Sequence, residues 1–494
     1  MSSDSLQLFP NPSPSPSRIS PNALPGITPE ATETAKKVLE NNHEKHHVFF
    51  NDQGFHNHIA HHVLAAWALG APKDVIQAAY DHDKTYQRPA YKSPEAITRG
   101  NFNDHLGDEN YYNAYLNYFV DALKRKDAPA VLEEHVFSSA ANFASKSQSG
   151  EHPEMVSRFL DAIVHPMIHT GYGFEFNIPG LIAEGLAQTA VHGCRSSKVV
   201  PASAFTADPV PSVGKLASRL HSVVLGTQKS GAPHAFTILN RILKDENIKP
   251  KDQDNVYSYT LDNWSDVILG YVNEWANFDP TDAHLVERKV EELQWTNVLI
   301  YALPGYSYRQ EKNFNADFFT MHLVTSSLFL PSLIAVLPPP SQHILLRNYF
   351  AISLTWYIAR GKPDLNIQAF YDGTTAHPAT ETTPQNGPKI SLLPPSSSAA
   401  SNPNPWFGIL QQAIDHPDDH LCKCQRALAH YSALYGSRTA GKADFAGTEL
   451  PGADKLDGTL FVRAAGLTAQ RLGRDRDDQP LTYWDRSGFF HESN

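Results

Sequence analysis

Residues 55–71 read FHNHIAHHVLAAWALGA, and the fold prediction starts from this stretch. Its apolar residues Ile59, Val63 and Trp67 recur at helical spacing, and Gly70 is a suitable helix stop. Most of the remaining sequence shows similar spacing, whereas the alternation typical of β-strands is scarce. The sequence therefore predicts an all-α fold, with one large helical domain, a disordered N-terminal tail and a long low-complexity surface loop.

Further helices are predicted along the chain, and residues 171–176 (GYGFEF) are expected to form a turn between two of them. The predicted helices are Thr32–Asn41, His58–Leu69, Asn110–Lys126, Ser157–Thr170, Pro179–His192, Ser212–Gly226, Asn263–Asn277, His284–Leu303, Asp317–Leu330, Ser341–Ala359 and Trp406–Tyr435. Residues 1–30 are rich in Ser and Pro, which predicts a disordered tail before a helical domain over residues 31–494. Residues 372–405 have a similar composition and are expected to form a flexible insertion.

Charge and composition exclude several classes of protein. The net charge is -11 and no basic run is present, which argues against nucleic acid as a partner. No apolar run reaches about 18 residues, so no membrane span is predicted, and the N-terminus lacks the apolar core of a secretory signal. The three cysteines, Cys194, Cys422 and Cys424, do not form a disulfide framework, which suits a reducing, cytoplasmic compartment.

Histidine is unusually frequent, with 24 residues, and several of these histidines are three or four positions apart, which is one turn of a helix. On a helix, His58 shares a face with both His61 and His62, because side chains three or four positions apart lie one turn above each other. His165 and His169 repeat this spacing. Such a pair can offer two nitrogen atoms to one metal ion.

Two further histidine motifs occur later in the chain. His322 is isolated within an apolar helical segment, while His416 and His420 are four apart, and Lys423 follows on the face of His420. The cores of helical bundles commonly hold metal sites built from facing helices. A metal centre is therefore one interpretation, and histidines that bond across a polar core or bind a substrate are the alternative.

The residue types restrict which metal could bind. Imidazole suits Zn, Cu, Fe and Ni, and the H-E-x-x-H pattern of zinc proteases is absent from the sequence. A carboxylate ligand is not obvious. Asp161, Glu175 and Glu184 lie near the second motif and could orient imidazoles, or could be ordinary capping or surface groups.

Several motifs in one order resemble the questin oxidase-like family over residues 33–440. They are HNHIAHH with ALGA, GDENYYNAYLNYF at 107–119, HPMIHTGYGFEFNIPGLIAEGLAQTAVH, MHLVTSSLFLP and HPDDHLCKCQRAL. The resemblance implies an oxygenase of fungal secondary metabolism that opens the central ring of anthraquinone-type polyketides. Members are described either as NADPH-dependent Baeyer–Villiger oxidases or as non-haem iron dioxygenases, whose iron is held by four histidines and a carboxylated lysine.

The sequence itself bears on the choice between these descriptions. No G-x-G-x-x-G follows a strand, so no dinucleotide-binding fold is indicated, and O2 activation on a metal is favoured. Any NADPH requirement would then belong to a separate reductase partner, which supplies a reduced hydroquinone substrate. Three interpretations stay open: an iron dioxygenase, a Baeyer–Villiger monooxygenase, and a metal-free helical carrier of pathway intermediates.

The candidate residues follow from the motifs and the resemblance. The metal candidates are His58, His62, His169, His322, His420 and Lys423, with Lys362 as an alternative lysine and His416 in reserve. The candidates for catalysis are His61, His165, Tyr172 and Glu175. The aromatic side chains expected to line a substrate pocket are Tyr111, Tyr112, Tyr172, Phe174, Phe318 and Phe319. A lysine carbamate forms when CO2 adds to a neutral amine, which favours a buried lysine.

Overall fold

The computed structural model describes residues 6–144, 152–206, 231–309, 313–380, 383–473 and 483–490. Within these ranges the chain consists of helices joined by loops, and the sole β-type pairing is three isolated bridges. The predicted all-α, single-domain fold is confirmed. No helix in the described part of the chain has the length and apolarity needed to span a bilayer.

The α-helices are numbered here in chain order. They are α1 (Pro29–Lys45), α2 (Ile59–Ala68), α3 (Lys73–Asp83), α4 (Tyr112–Arg125), α5 (Ala128–Leu132), α6 (Ser139–Phe143), α7 (Met155–Phe176), α8 (Pro179–Val191), α9 (Ser203–Thr206), α10 (Ala235–Lys244), α11 (Val256–Trp275), α12 (Ala283–Ser307), α13 (Phe318–Ser326), α14 (Leu330–Ile334), α15 (Pro339–Ala359), α16 (Ile367–Gly373), α17 (Ser398–Ser401), α18 (Pro405–Ile414), α19 (Asp419–Tyr435), α20 (Ala443–Ala446) and α21 (Leu460–Leu472). The predicted helix Ser212–Gly226 lies outside the described residues.

Several predicted boundaries differ from the structure: the helix predicted from Asn263 begins at Val256, and the helix predicted over Asp317–Leu330 ends at Ser326. Two other differences have a local cause. The segment GYGFEF is not a turn but the last part of α7, which ends where Asn177 adopts a left-handed conformation. The predicted helix Trp406–Tyr435 is divided into α18 and α19, because Pro417 cannot continue a helix and Asp418 caps the next one. The Asp418 side chain accepts hydrogen bonds from the first backbone N–H groups of α19.

Residues 6–28, the described part of the N-terminal segment, contain no helix, as the Pro-rich composition predicts, and some of them contact the helical body. Phe9 is 4% exposed, and its ring lies where a Cβ on Gly180 would stand. The backbone N–H of Ser13 donates to the carbonyl of Phe176 at 3.0 Å. Phe9 and Ser13 therefore contact the helical body, whereas residues 22–26 are exposed.

Helices α2, α7 and α8 form the centre of the molecule. All ten residues of α2 are buried, as are nearly all residues of α7 and α8. Helices α7 and α8 approach closely at Gly185, where a Cβ would lie 2.6 Å from the backbone nitrogen of Thr170. Because these helices are buried on every face, polar side chains on them must find partners inside the protein.

Candidate metal centre

Four helices bring one imidazole each into a closed ring of neighbours. His58 precedes α2, His165 lies in α7, His322 in α13 and His420 in α19. Going round the ring, the centroids of adjacent imidazoles are 5.0, 4.9, 5.1 and 4.8 Å apart. Two imidazoles bound to one metal at ordinary metal–nitrogen distances would have centroids about 4.5 to 5.2 Å apart. These centroid spacings are compatible with imidazoles that share one ion, and the groups of described residues whose ligand atoms lie within 4.8 Å of one another contain His58, His165 and His420 but not His322.

Carboxylates hold three of the imidazoles in this region by their Nδ1 atoms. Asp419 lies between two members of the ring, with Oδ2 2.9 Å from Nδ1 of His58 and Oδ1 3.1 Å from Nδ1 of His420. Nearby, Nδ1 of His62 donates to Oδ2 of Asp83 at 2.9 Å. Metal-binding histidines commonly donate their other ring nitrogen to a carboxylate in this way.

Backbone carbonyls hold the other two members of the ring. Nδ1 of His322 donates to the carbonyl of Phe318 at 2.7 Å, and Nδ1 of His165 donates to the carbonyl of Ala162. With every Nδ1 engaged, the Nε2 atoms are left buried and without a hydrogen-bond partner. This holds for His58, His62, His165, His322 and His420.

Most of the ring is electrically neutral. Burial, together with the positive charge of Lys423, lowers the pKa of His58 to about 4. Burial also holds the pKa values of His165 and His322 well below the ordinary value. A neutral imidazole has the free lone pair that a metal ion requires, so these side chains are in the form that binds metal.

Asp419 is the carboxylate that the sequence did not reveal. It follows the cap of α19 directly, and its Oδ2 lies 2.6 Å from Nζ of Lys423, one helical turn later. Burial would raise the pKa of Asp419, but its electrostatic interactions with His420, Lys423 and His58 outweigh burial and hold the pKa well below its usual value. The predicted lysine therefore lies within the cluster, paired with an ionised carboxylate.

A second polar chain runs away from the ring through α2, α7 and α8. His61 and His169 are linked through Nε2 and Nδ1 at 3.0 Å, and Nε2 of His169 donates to Glu184 at 2.7 Å. The other oxygen of Glu184 accepts from His43 at 2.6 Å. Burial would raise the pKa of Glu184, but these two imidazoles lower it to about 2. Both nitrogens of His169 are thus hydrogen-bonded. Glu184 orients imidazoles, which is one of the two roles predicted for it, and is not a capping or surface group.

The remaining predicted residues are distributed as follows. Tyr172 is buried and stacks on His61 with centroids 5.0 Å apart, while Glu175 is fully buried in an ion pair with Arg426. Lys362 lies apart from the cluster, where Nζ donates to the carbonyl of Asp245 at 2.8 Å. His416, also outside the ring, accepts from the backbone N–H of Asp418. Of the six predicted pocket residues, Phe318 and Phe319 line the cavity described below.

Two histidines that the sequence reasoning did not select extend the cluster. His56 stacks on His165 with centroids 4.0 Å apart and planes 8° apart, and its Nε2 lies 2.7 Å from Nε2 of His192. Among the described residues, two compact groups of potential ligand atoms share His58. They are His56 with His58 and His165, and His58 with Asp419 and His420. His56 lies two positions from His58 in the first motif, a signal that was available in the sequence.

The position of His165 depends on a break in α7. Ala162, Ile163 and Val164 have φ values of 49°, 56° and 56°, so three consecutive residues adopt the left-handed conformation. Asp161 stabilises this break, because its carboxylate accepts from the backbone N–H groups of Ala162 and Arg195, each at 2.8 Å. This conformation costs about 1–2 kcal/mol for each L-residue, and such strain is concentrated at functional sites.

A cavity of about 780 Å³ opens onto the cluster. His56, His58, His165, Asp419 and His420 form its floor, and the strained segment of α7 forms part of one wall. The remaining wall is largely aromatic and includes Tyr257, Phe318, Phe319, Trp356 and Trp484. A flat aromatic molecule could stack against such walls with its edge near the imidazoles.

The donor set fits a first-row transition metal. It consists of imidazole nitrogens with a carboxylate, and the two buried thiols Cys422 and Cys424 have pKa values that burial raises, so they stay protonated. Histidines combined with a carboxylate are the donor set of non-haem Fe(II) oxygenases. The five unpartnered Nε2 atoms supply more nitrogen donors than such a site needs.

Comparison with known proteins agrees with this architecture. The family model for questin oxidase-like proteins matches residues 55–428, well over half of the chain. Questin oxidase of Aspergillus terreus is 26% identical over 412 residues, which cover 82% of this chain and 81% of the relative. Baeyer-Villiger oxidase ptaJ of Pestalotiopsis fici is 28% identical, covering 80% of both chains. Oxidoreductase AflY of Aspergillus parasiticus is 26% identical, covering 81% of this chain and 72% of the relative. The chain is therefore an oxidoreductase that belongs to the questin oxidase-like family.

Proposed function

We propose that this chain is a non-haem iron-dependent dioxygenase that cleaves a C–C bond in the central ring of an anthraquinone-type polyketide and gives a benzophenone-type product. The name of the questin oxidase relatives supports the substrate class, because questin is an anthraquinone. The single observation that carries the iron proposal is the ring of imidazoles whose Nε2 atoms are buried and unpartnered.

In this proposal His58, His165, His322 and His420 hold the iron, and His62, whose Nδ1 is fixed by Asp83, is the alternative to one of them. Bound iron would supply the activation of O2 beside the aromatic ring. The anionic ligand is a carbamate on Lys423, which is 6% exposed. It forms when the lysine gives up its proton and CO2 adds to the amine, so it replaces the ion pair that Lys423 makes with Asp419 in the metal-free protein. Asp419 then orients the imidazoles on either side. His169 supports the site through His61 instead of binding iron.

The protein's own groups prepare the site for this chemistry. Asp419 and the carbonyl of Phe318 fix the ring nitrogens that donate, so each neutral imidazole presents its lone pair in one direction. The aromatic walls exclude water and orient a planar substrate. The second polar chain through His61 and His169 stiffens the layer beneath the floor.

A reduced substrate is expected, because an oxidised quinone is electron-poor and reacts poorly with activated oxygen. We therefore propose that a separate NADPH-dependent reductase supplies the hydroquinone. Purified protein that turns over the oxidised quinone without a reductant would make this partner unnecessary.

The names of several relatives, which are Baeyer-Villiger oxidases, favour a second candidate function, a Baeyer-Villiger monooxygenase that inserts one oxygen atom beside the ketone. Isotopically labelled O2 separates the two: a dioxygenase places two labelled atoms in the product and a monooxygenase places one. A protein that contains no stoichiometric transition metal and gives no product would instead be a carrier.

The ligand set is tested by the iron content of purified variants. His322→Ala and His420→Ala should lose bound iron, whereas His343→Gln should retain it, because His343 donates to the carbonyl of Ala276 away from the ring. Normal iron in both ring variants would exclude the proposed site.

The carbamate is tested on the two lysines. Lys423→Ala should lose iron and regain it when a short carboxylic acid is added, because the acid replaces the anionic ligand. Lys362→Ala is the matched control and should retain iron, since Lys362 is bonded to the carbonyl of Asp245. Full iron in Lys423→Ala without added acid would remove the carbamate from the proposal.

A further inference from the structure

The cavity is completed by a segment near the C-terminus that lies beyond residue 428, where the match to the family ends. Residues 483–490, here called the C-terminal strap, run past the first residues of α13. The backbone N–H of Phe318 donates to the carbonyl of Asp485 at 2.8 Å, and the N–H of Asp485 donates to the carbonyl of Ala316 at 2.9 Å. The strap is therefore fixed in register against α13.

This register directs two strap side chains into the cavity. Asp485 pairs with Asp317 in a parallel bridge, so its neighbours on either side, Trp484 and Arg486, point to the same opposite face. Both of them line the cavity. The indole N–H of Trp484 donates to Oδ1 of Asp418 at 3.0 Å, which ties the strap to the cap of α19.

Arg486 is held close to the imidazole ring. Its guanidinium carbon lies 4.6 Å from the ring centroid of Phe318, and that ring lies 4.6 Å from His322 and 5.1 Å from His420. Its carbonyl accepts from Nη2 of Arg360 at 2.7 Å. The Arg486 backbone is fixed, while its side chain is exposed at the cavity wall.

The charges in the cavity are unbalanced in a way that favours an anion. The three acids that line it, Asp161, Asp418 and Asp419, each accept hydrogen bonds or ion pairs from the protein. Two arginines also line it, Arg195 and Arg486. Among the described residues neither guanidinium is part of an ion pair: Asp485, next to Arg486, pairs with Arg471 at 3.1 Å, and the guanidinium of Arg195 interacts with Asp161 only at longer range. An anionic group entering the cavity would thus meet two guanidinium groups that form no ion pair within the described part of the chain.

We propose that Arg486 binds an anionic group, a carboxylate or an ionised phenol, on the flat aromatic molecule that occupies the cavity. The contact with Phe318 places this anion beside the imidazole ring, so the strap sets which edge of the aromatic molecule faces the imidazoles. The inference rests on the proposed substrate class and adds the requirement for an acidic substituent. It assigns substrate selection to a segment outside the part of the chain that defines the family.

The test compares two probes that differ in charge alone: anthraquinone-2-carboxylate and anthraquinone-2-carboxamide. Their binding to the full-length protein is followed by quenching of tryptophan fluorescence, since Trp356 and Trp484 line the cavity. The wild type should bind the carboxylate more tightly, and added salt should reduce this preference. Arg486→Met should weaken carboxylate binding about fivefold, with less than about a twofold change for the carboxamide.

Two further variants make the result specific. Arg486→Lys retains the charge and should retain most of the preference for the carboxylate. Arg125→Met removes an arginine from the last turn of α4, away from this cavity, and should change neither probe. Equal binding of the two probes to the wild type, or equal weakening of both in Arg486→Met, overturns the inference.

Failure of the proposed function gives a different result. The binding assay requires neither iron nor turnover, so a carboxylate preference that depends on Arg486 would stand even if labelled O2 did not enter a product. Conversely, incorporation of two labelled atoms with no carboxylate preference would leave the dioxygenase and exclude the role of Arg486. No binding of either probe would overturn both the role of Arg486 and the proposed substrate class.

Discussion

Asp419→Asn removes a buried negative charge that faces three donor groups. The carboxylate lies 2.6 Å from Lys423, 2.9 Å from His58 and 3.1 Å from His420. The amide is nearly the same size, so the cavity floor keeps its shape. What changes is that the ammonium group of Lys423 loses its charged partner, and the two imidazoles lose the acceptor that orients them.

The size of the effect follows from burial. The side chains of Asp419 and Lys423 are 12% and 6% exposed, so solvent screens their interaction only weakly. Removing one partner of a buried ion pair costs about 3–5 kcal/mol. We expect the metal-depleted variant to lose about 3 kcal/mol in the free energy of unfolding. Loss of a carboxylate that orients metal-binding histidines also weakens metal affinity about 10- to 100-fold.

Asp418→Asn is the matched control, because it makes the same chemical change one residue earlier. Asn caps helices as well as Asp does, and its oxygen can still accept from the first N–H groups of α19 and from Trp484. Urea denaturation of the metal-depleted proteins gives the stability difference, and competition with a chelator gives the iron affinity. If the two variants have the same free energy of unfolding and the same iron affinity, Asp419 does not stabilise the cluster in the way proposed.

Two other predictions concern packing and pH. Gly185→Ala should cost about 1–3 kcal/mol of stability, because its Cβ would meet the backbone of Thr170 at 2.6 Å, whereas Gly270→Ala in α11 has open space and should stabilise the protein by about 0.5–1 kcal/mol in urea denaturation. Burial lowers the pKa of His430, which donates to the carbonyl of Ile19, to about 4. The unfolded chain therefore takes up a proton first as the pH falls, so stability should decrease below about pH 6.5 by up to about 1.4 kcal/mol per pH unit, and the loss should end near the folded pKa. His430→Asn should flatten this part of the stability curve; an unchanged curve would assign the acid sensitivity to other groups.

Local spacing predicted most of the helices, because the apolar residues that a helix buries recur every three or four positions in the sequence. It placed His165 and His169 on one helix, but did not show which member of a pair reaches the centre of the molecule, and the predicted pair of His416 and His420 is wrong because His416 lies in the loop before α19. His165 enters the ring, whereas His169, four residues on, is turned towards Glu184. That difference arises from the partners on other helices, which spacing within one helix does not contain.

The residues that the sequence reasoning missed were hidden for physical reasons. An aspartate in the first turn of a helix, such as Asp419, has the sequence signature of a capping residue. His56 and His192 are 136 positions apart, so their pairing depends on how α8 folds back onto the region before α2. The strap that carries Arg486 is joined to the cavity by tertiary contacts alone.

The reversal of hand at Ala162, Ile163 and Val164 has a consequence for how the cavity opens. Winding three residues against their natural sense costs about 3–6 kcal/mol, comparable with the whole net stability of many domains. The surrounding contacts must hold these residues in the left-handed conformation, so the backbone at this edge of the cavity would relax if those contacts were lost. Amide hydrogens there should exchange with solvent sooner than those in the two regular halves of α7, and this part of the cavity wall is where the lining should open most readily.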